Sequence, residues 1–137
     1  MHKAKVSGTI EAPSDDVWKL AGNFGELNRF VEAITGCITN GSGVGAERTL
    51  YLQDGGKVKE KLESLDNDQK KLTYSIVESP MPIEDYIGTI QVKELDENHS
   101  EFTWSSTFNV ADEAANEMKE VLEGLYELGV EGLKKHF

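Results

Sequence analysis

Residues 112–137 read DEAANEMKEVLEGLYELGVEGLKKHF, a stretch without proline in which apolar residues recur at helical spacing. At 100° per residue, the apolar side chains fall on one side of a helix and most of the glutamates on the other. The apolar side consists of Met118, Val121, Leu122, Leu125, Leu128 and Leu133. The stretch therefore predicts an amphipathic helix of about 25 residues, roughly 37 Å long. It carries too many charges to span a membrane.

Most of the remaining chain alternates apolar and polar residues, the pattern of half-buried strands. Seven strands are expected, within residues 4–10, 34–39, 47–53, 57–66, 72–77, 86–92 and 102–108. Two short helical segments, 14–24 and 26–33, separate the first strand from the second. Tight turns join most of the other strands, and such turns require antiparallel neighbours. This order predicts an α+β fold in one domain spanning residues 1–137.

Composition excludes several classes of function. The chain has 14 basic and 25 acidic residues, a net charge of -11, which argues against binding to nucleic acid or to anionic membranes. The single cysteine, Cys37, excludes an internal disulfide and a cysteine-based metal site. His2, His99 and His136 lie far apart in the sequence, so we expect no metal and no cofactor. The first ten residues lack a signal-peptide pattern, which favours a cytoplasmic location.

The glycine-rich segment at 41–45 raises the question of a nucleotide site. It lacks the lysine and the Ser/Thr of a P-loop, and the pattern around it is not a parallel βαβ unit. We interpret it as a flexible turn that precedes the third strand.

Three local patterns carry a family resemblance: G-x-G-V-G-A-x-R at 41–48, E-x-L-E-x-L-D at 60–66, and Trp104 with Phe108 in the last strand. With the order of elements, they resemble the helix-grip superfamily of START lipid-transfer domains, birch-pollen-allergen-like proteins, plant abscisic-acid receptors and bacterial polyketide cyclases. The chain is most similar to the polyketide cyclase/dehydrase-like subgroup, over essentially its whole length. The resemblance implies a curved seven-stranded antiparallel sheet that wraps the C-terminal helix and leaves an apolar cavity. It does not imply one function, because this fold hosts carriers, receptors and enzymes.

Alternation and the helical period together define the residues expected to face that cavity. The strands contribute Leu50, Leu52, Val58, Glu60, Leu62, Tyr74, Ile76, Glu84, Tyr86, Ile90, Trp104, Ser106 and Phe108, and the helix contributes Met118, Val121, Leu122, Leu125 and Gly129. Glu84 follows Pro80-Met81-Pro82, at the expected cavity mouth. Trp104 is expected to pack against the helix rather than to stack on a ligand.

Glu60 is the most informative of these residues, since a carboxylate on an apolar wall is unfavourable unless it is paired or hydrogen-bonded. The resemblance implies that Glu60 matches a carboxylate that points into the cavity in the abscisic-acid receptors. Glu60 could anchor a ligand hydroxyl through water or act as a base with a raised pKa. Alternatively, it reaches solvent or pairs with a lysine. Tyr74 and Tyr86 could orient a ligand carbonyl or phenol, or could be core tyrosines with hydroxyls at the rim.

The glycines of the long helix allow two interpretations. Gly129 and Gly132 lie on the apolar side, where they indicate either a close approach of the sheet backbone or the wall of a cavity. The cavity interpretation predicts that Gly129→Leu reduces ligand uptake with little loss of fold. Gly124 lies on the acidic side and weakens the helix by about 1 kcal/mol relative to alanine.

Three functions fit these observations. The favoured one is a module that binds or carries a small hydrophobic molecule, such as a lipid, a sterol-like ring or an aromatic polyketide. The alternative is a polyketide cyclase/dehydratase-type enzyme, with Glu60 as base and Tyr86 or Tyr74 as hydrogen-bond donor. A protein-interaction role would need an exposed apolar patch. Binding is favoured because the inner polar groups are few and include no histidine. We expect no stable membrane insertion, and a monomer or a homodimer paired through sheet edges.

Overall fold

The computed structural model describes residues 1–137. The strands are β1 His2–Ile10, β2 Ile34–Asn40, β3 Glu47–Leu52, β4 Lys57–Asp66, β5 Lys71–Glu78, β6 Glu84–Asp96 and β7 His99–Asn109. The helices are α1 Ser14–Ala21 and α2 Ala115–His136, with 3-10 helices at Phe24–Arg29 and Asp112–Ala114. The predicted α+β order is confirmed. The second short helix lies earlier than the expected residues 26–33, and Gly25 lies within it rather than ending the helix before it.

The seven strands form one antiparallel sheet in the order β1-β7-β6-β5-β4-β3-β2. Every neighbouring pair except β1 and β7 is consecutive in the chain, so tight turns build most of the sheet. α1 and the first 3-10 helix carry the chain from β1 at one edge to β2 at the other. Irregular register within β2, β4 and β6 marks bulges, which bend strands and raise their twist. The sheet therefore curves around α2, as the helix-grip arrangement requires.

Helix α2 packs mainly over the β1 and β7 side of the sheet. Its buried residues are Met118, Leu122, Tyr126, Gly129, Val130 and Leu133. Val121 and Leu128, which we expected on the same apolar side, are 49% and 37% exposed. The apolar arc of α2 is thus divided into a stripe that enters the core and a second stripe, with Val121, Leu125 and Leu128, that faces the β3–β5 side.

The two glycines on the core side of α2 are sites of close approach. A Cβ built on Gly129 would lie 2.9 Å from Cζ3 of Trp104, and one on Gly132 would lie 2.6 Å from the carbonyl carbon of Phe30. Both distances are well inside van der Waals contact. The prediction that Gly129→Leu leaves the fold intact is therefore wrong, because that position is filled by Trp104. The backbone approached at Gly132 belongs to the segment after the 3-10 helix and not to the sheet.

Candidate functional site

A pocket of about 370 Å³ lies between α2 and the β3–β5 part of the sheet, and 15 of its 18 lining residues are apolar. It forms because α2 packs against β1 and β7 and leaves the inner face of β3, β4 and β5 uncovered. The predicted site residues that line it are Leu50, Leu52, Val58, Glu60, Tyr74, Ile76, Tyr86, Trp104, Val121, Leu122 and Leu125.

The structure places the other predicted site residues outside this pocket. Those in the core are Leu62, Ile90, Ser106, Phe108, Met118 and Gly129. Leu62 also borders a second pocket, which Trp18 lines as well. Glu84 is exposed, because the positive φ of Asp85 and a register shift before Ile87 turn the first residues of β6 away from the regular ladder.

Seven lining residues were not among those expected: Leu27, Ala33, Ile34, Gln53, Asp54, Met81 and Leu128. Leu128 lies on the apolar stripe of α2, so the helical period already contained its signal. Gln53 and Asp54 belong to the hairpin between β3 and β4. Leu27, Ala33 and Ile34 come from the 3-10 helix and the entry to β2, and Met81 precedes β6; no local pattern specifies where these segments lie over the sheet.

Glu60 is paired with Arg48, an interaction that we did not expect. The two residues face each other across β3 and β4. Arg48 Nε donates to Glu60 Oε1 at 2.8 Å, and Nη1 donates to the carbonyl of Phe24 at 2.9 Å. Nη2 lies 2.7 Å from the same carboxylate oxygen but makes no well-directed hydrogen bond. The partner is therefore a buried arginine, and the alternative that Glu60 reaches solvent or pairs with a lysine is wrong.

The surroundings of this ion pair are apolar and aromatic. The guanidinium carbon lies 4.1 Å from the centre of the Phe24 ring and 4.9 Å from that of Tyr74. Arg48 and Glu60 are only 2% and 6% exposed. Burial raises the pKa of Glu60, and the opposing effect of the Arg48 charge and hydrogen bond does not cancel it. Glu60 thus supplies a carboxylate on the inner wall of the pocket, and only one of its two oxygens is hydrogen-bonded within the protein.

A chain of hydrogen bonds joins the aromatic residues beside the pocket. Trp104 Nε1 donates to the Tyr74 hydroxyl at 2.8 Å, which lies 2.9 Å from the Tyr86 hydroxyl. Tyr86 is bonded in turn to Tyr126, which donates to Ser106 Oγ at 2.8 Å. Burial raises the pKa of Tyr74 and Tyr86 well above the ordinary value, and that of Tyr126 to about 12. All three phenols are therefore neutral near pH 7.

Tyr126 is the member of this chain that sequence reasoning missed. It is fully buried on α2, and its ring stacks on Trp104 with centroids 4.4 Å apart at 20°. Trp104 thus packs against the helix as expected, and it also forms part of the pocket wall. The hydroxyls of Tyr74 and Tyr86 bond within the protein interior, so the alternative of hydroxyls at the rim is wrong.

No group of three or more His, Cys, Asp or Glu residues is arranged to hold a metal ion. Neither helix has the length and apolar character needed to cross a bilayer.

The curved antiparallel sheet, the long C-terminal helix and the pocket between them define a helix-grip protein. The chain belongs to the family described as polyketide cyclase / dehydrase and lipid transport, whose model matches residues 1–137. None of the curated proteins compared matches the chain. Family membership supports a small-molecule ligand-binding or cyclase role in general terms.

Solved structures agree with this assignment. XoxI from Bacillus cereus is 31% identical, with a TM-score of 0.93 and coverage of 100% of this chain and 96% of that chain. An uncharacterised protein from Bacillus thuringiensis is 32% identical, with a TM-score of 0.86 and coverage of 98% of each chain. The Zhui aromatase/cyclase from Streptomyces sp. R1128 is 15% identical, with a TM-score of 0.79 and coverage of 98% and 92%. At that identity the likeness shows the fold alone.

Proposed function

We propose that this protein, as a single domain, binds or carries a small hydrophobic molecule in the pocket between β3–β5 and α2. The observation that carries the proposal is an apolar pocket of about 370 Å³ with one carboxylate, Glu60, on its inner wall. Ligand pockets are typically about 300–1,000 Å³ and combine apolar walls with a few polar groups that fix orientation. A lipid, a sterol-like ring system or an aromatic polyketide matches that chemistry.

The ion pair between Glu60 and Arg48 favours binding over catalysis. A general base must be free to take up a proton from the substrate in a productive position. Arg48 Nε donates to one oxygen of Glu60 at 2.8 Å and Nη2 lies 2.7 Å from the same oxygen, so the ion pair fixes the position of the carboxylate and leaves a single oxygen free. Anchoring a ligand needs only the remaining oxygen.

A polyketide cyclase/dehydratase-type enzyme is the second candidate, and the raised pKa of Glu60 inside the pocket favours it. That function requires turnover of a polyketide or an enone that Glu60→Gln abolishes. The same variant should still bind an apolar probe, because the amide keeps the size of the side chain. Turnover lost only in Glu60→Gln would replace the carrier proposal with the enzyme.

A pair of identical substitutions tests the binding proposal. Val121 lines the pocket and is 49% exposed, whereas Val77 lies on the outer face of β5 and is 46% exposed. Valine→tryptophan adds the same volume at each position, and neither side chain is buried, so both variants should fold. The probe is the neutral fluorophore N-phenyl-1-naphthylamine, followed by its fluorescence increase on leaving water.

The proposal predicts saturable binding of the probe to the wild type and to Val77→Trp. Val121→Trp should bind at least about tenfold more weakly, a change of about 1.4 kcal/mol. Thermal unfolding of both variants checks that the fold is retained. Equal affinities for the two variants, or no saturable binding to the wild type, would contradict the proposal.

A further inference from the structure

The directions of the hydrogen bonds beside the pocket can be deduced by counting protons. A neutral tyrosine hydroxyl has one proton to donate and can also accept. Tyr126 donates its proton to Ser106, so in its bond with Tyr86 it must accept, and Tyr86 donates. Tyr86 then has no second proton, so Tyr74 donates to Tyr86. Trp104 donates its only N–H to Tyr74. Every phenol and indole proton of this series of hydrogen bonds is therefore engaged within the protein.

The remaining polar groups that line the pocket are Glu60, Asp54 and Gln53. No lysine or arginine lines it. Asp54 and Gln53 are exposed residues at the rim, where Gln53 Nε2 donates to the carbonyl of Glu32 at 3.3 Å. The inner wall thus offers a ligand no free hydrogen-bond donor.

The inner wall does offer an acceptor. Arg48 Nε and Nη2 both lie close to Oε1 of Glu60, and Oε2 accepts no hydrogen bond from the protein. The Glu60 side chain is 7% exposed and lines the pocket, so a bound ligand can reach this oxygen. Oε2 is not among the buried atoms that lack a partner, so it is accessible, and a ligand that supplies a donor gains a charge-assisted hydrogen bond on an otherwise apolar wall.

We infer that the pocket selects apolar ring compounds that present a hydrogen-bond donor, such as a phenol, an alcohol or an amine, to Glu60 Oε2. It discriminates against ligands whose only polar group is a ketone, an ester or a carboxylate. This inference rests on the proposed function, because it specifies the ligand class of the same pocket. The inferred selection follows from two observations. The hydrogen-bonded tyrosines have no free proton to donate, and the Glu60 carboxylate has a free oxygen that can accept.

Two naphthalene probes of similar size test the selection by isothermal titration calorimetry at pH 7. 2-Naphthol supplies a donor, and 2-acetylnaphthalene supplies only an acceptor. The wild type should bind 2-naphthol about tenfold or more tightly, the effect of one hydrogen bond to a charged group. In Glu60→Gln that preference should fall to about threefold or less, because an amide replaces the carboxylate as acceptor.

Tyr86→Phe provides a second, opposite signature. Removing the Tyr86 hydroxyl leaves the Tyr74 proton without its acceptor, so the wall gains a free donor. Affinity for 2-acetylnaphthalene should rise by about threefold or more, while Tyr51→Phe, which removes an exposed hydroxyl outside the pocket, should leave it unchanged. A purely structural role of Tyr86 would lower affinity for both probes.

The outcomes separate the two proposals. If neither probe binds the wild type, the binding function itself is contradicted, and the inference with it. If both bind with equal affinity, or if 2-acetylnaphthalene binds more tightly, the pocket is a binding site and the inferred donor selection is wrong. A preference for 2-naphthol that persists in Glu60→Gln would also overturn the role assigned to Glu60.

Discussion

Two Gly→Ala substitutions on α2 should have opposite effects on stability. At Gly124 no atom lies within 4 Å of an added Cβ, so alanine only improves helix propensity, by about 1 kcal/mol. At Gly132 the Cβ would lie 2.6 Å from the carbonyl carbon of Phe30, about 1 Å inside normal contact. Overpacking against a side chain costs about 1–3 kcal/mol. Here the obstacle is backbone, which no rotamer change can relieve, so we expect about 3 kcal/mol or more.

Urea unfolding, followed by circular dichroism, measures both effects. The free energies of unfolding of the two variants should differ by about 4 kcal/mol, the sum of the two expected changes. For a chain of this size that corresponds to a difference of roughly 15 °C in Tm. The matched pair keeps the helix and the substitution the same and changes only what the new methyl group meets. A Gly132→Ala variant as stable as Gly124→Ala would refute the close packing of α2 against Phe30.

Three further predictions concern the buried polar groups. Burial raises the pKa of Glu60 in the folded state, so the folded state binds the proton more tightly than the unfolded state, whose value is about 4.5. The stability of the wild type relative to Glu60→Gln should therefore be highest below pH 4.5 and fall as the pH rises through the folded pKa; urea unfolding of both proteins across pH checks this, and a difference that stays constant or rises with pH would contradict it. Arg48→Met removes the countercharge of a buried carboxylate and should cost about 3–5 kcal/mol in urea unfolding at pH 7, whereas a loss below 1 kcal/mol would show that Glu60 does not need its partner. Tyr126→Phe leaves the Tyr86 hydroxyl without its acceptor and should cost about 1–3 kcal/mol in the same assay; an unchanged midpoint would refute the hydrogen-bond chain.

The sequence predicted the fold well because local periods report which face of each element is buried. Alternation identified seven strands, and the helical period identified α2. The same patterns do not say which part of a buried face meets another element. Ile90 and Tyr74 have the same pattern, yet Ile90 packs in the core and Tyr74 lines the pocket. The helices leave part of the inner face uncovered, because α1 contacts β6 and α2 contacts β1 and β7.

The ion pair between Arg48 and Glu60 could have been predicted from the sequence. A tight turn at Asp54 places residues equally far on either side opposite each other, and Arg48 and Glu60 are each six residues away. Hairpin register therefore predicts this contact. Tyr126 could have been placed as well, since it lies four residues after Leu122 and seven before Leu133, on the apolar side of α2. The position of its hydroxyl between those of Tyr86 and Ser106 is a tertiary property with no local signal.

The most direct test of ligand binding between sheet and helix is the location of a bound probe. With methyl-labelled protein and N-phenyl-1-naphthylamine, intermolecular nuclear Overhauser effects should connect the probe to methyl groups of Leu50, Val58 and Leu125. Ile90, which is buried in the core, and Val77, on the outer face, should show none. Contacts to Val77 alone, or a probe that binds without reaching the pocket methyl groups, would contradict the account.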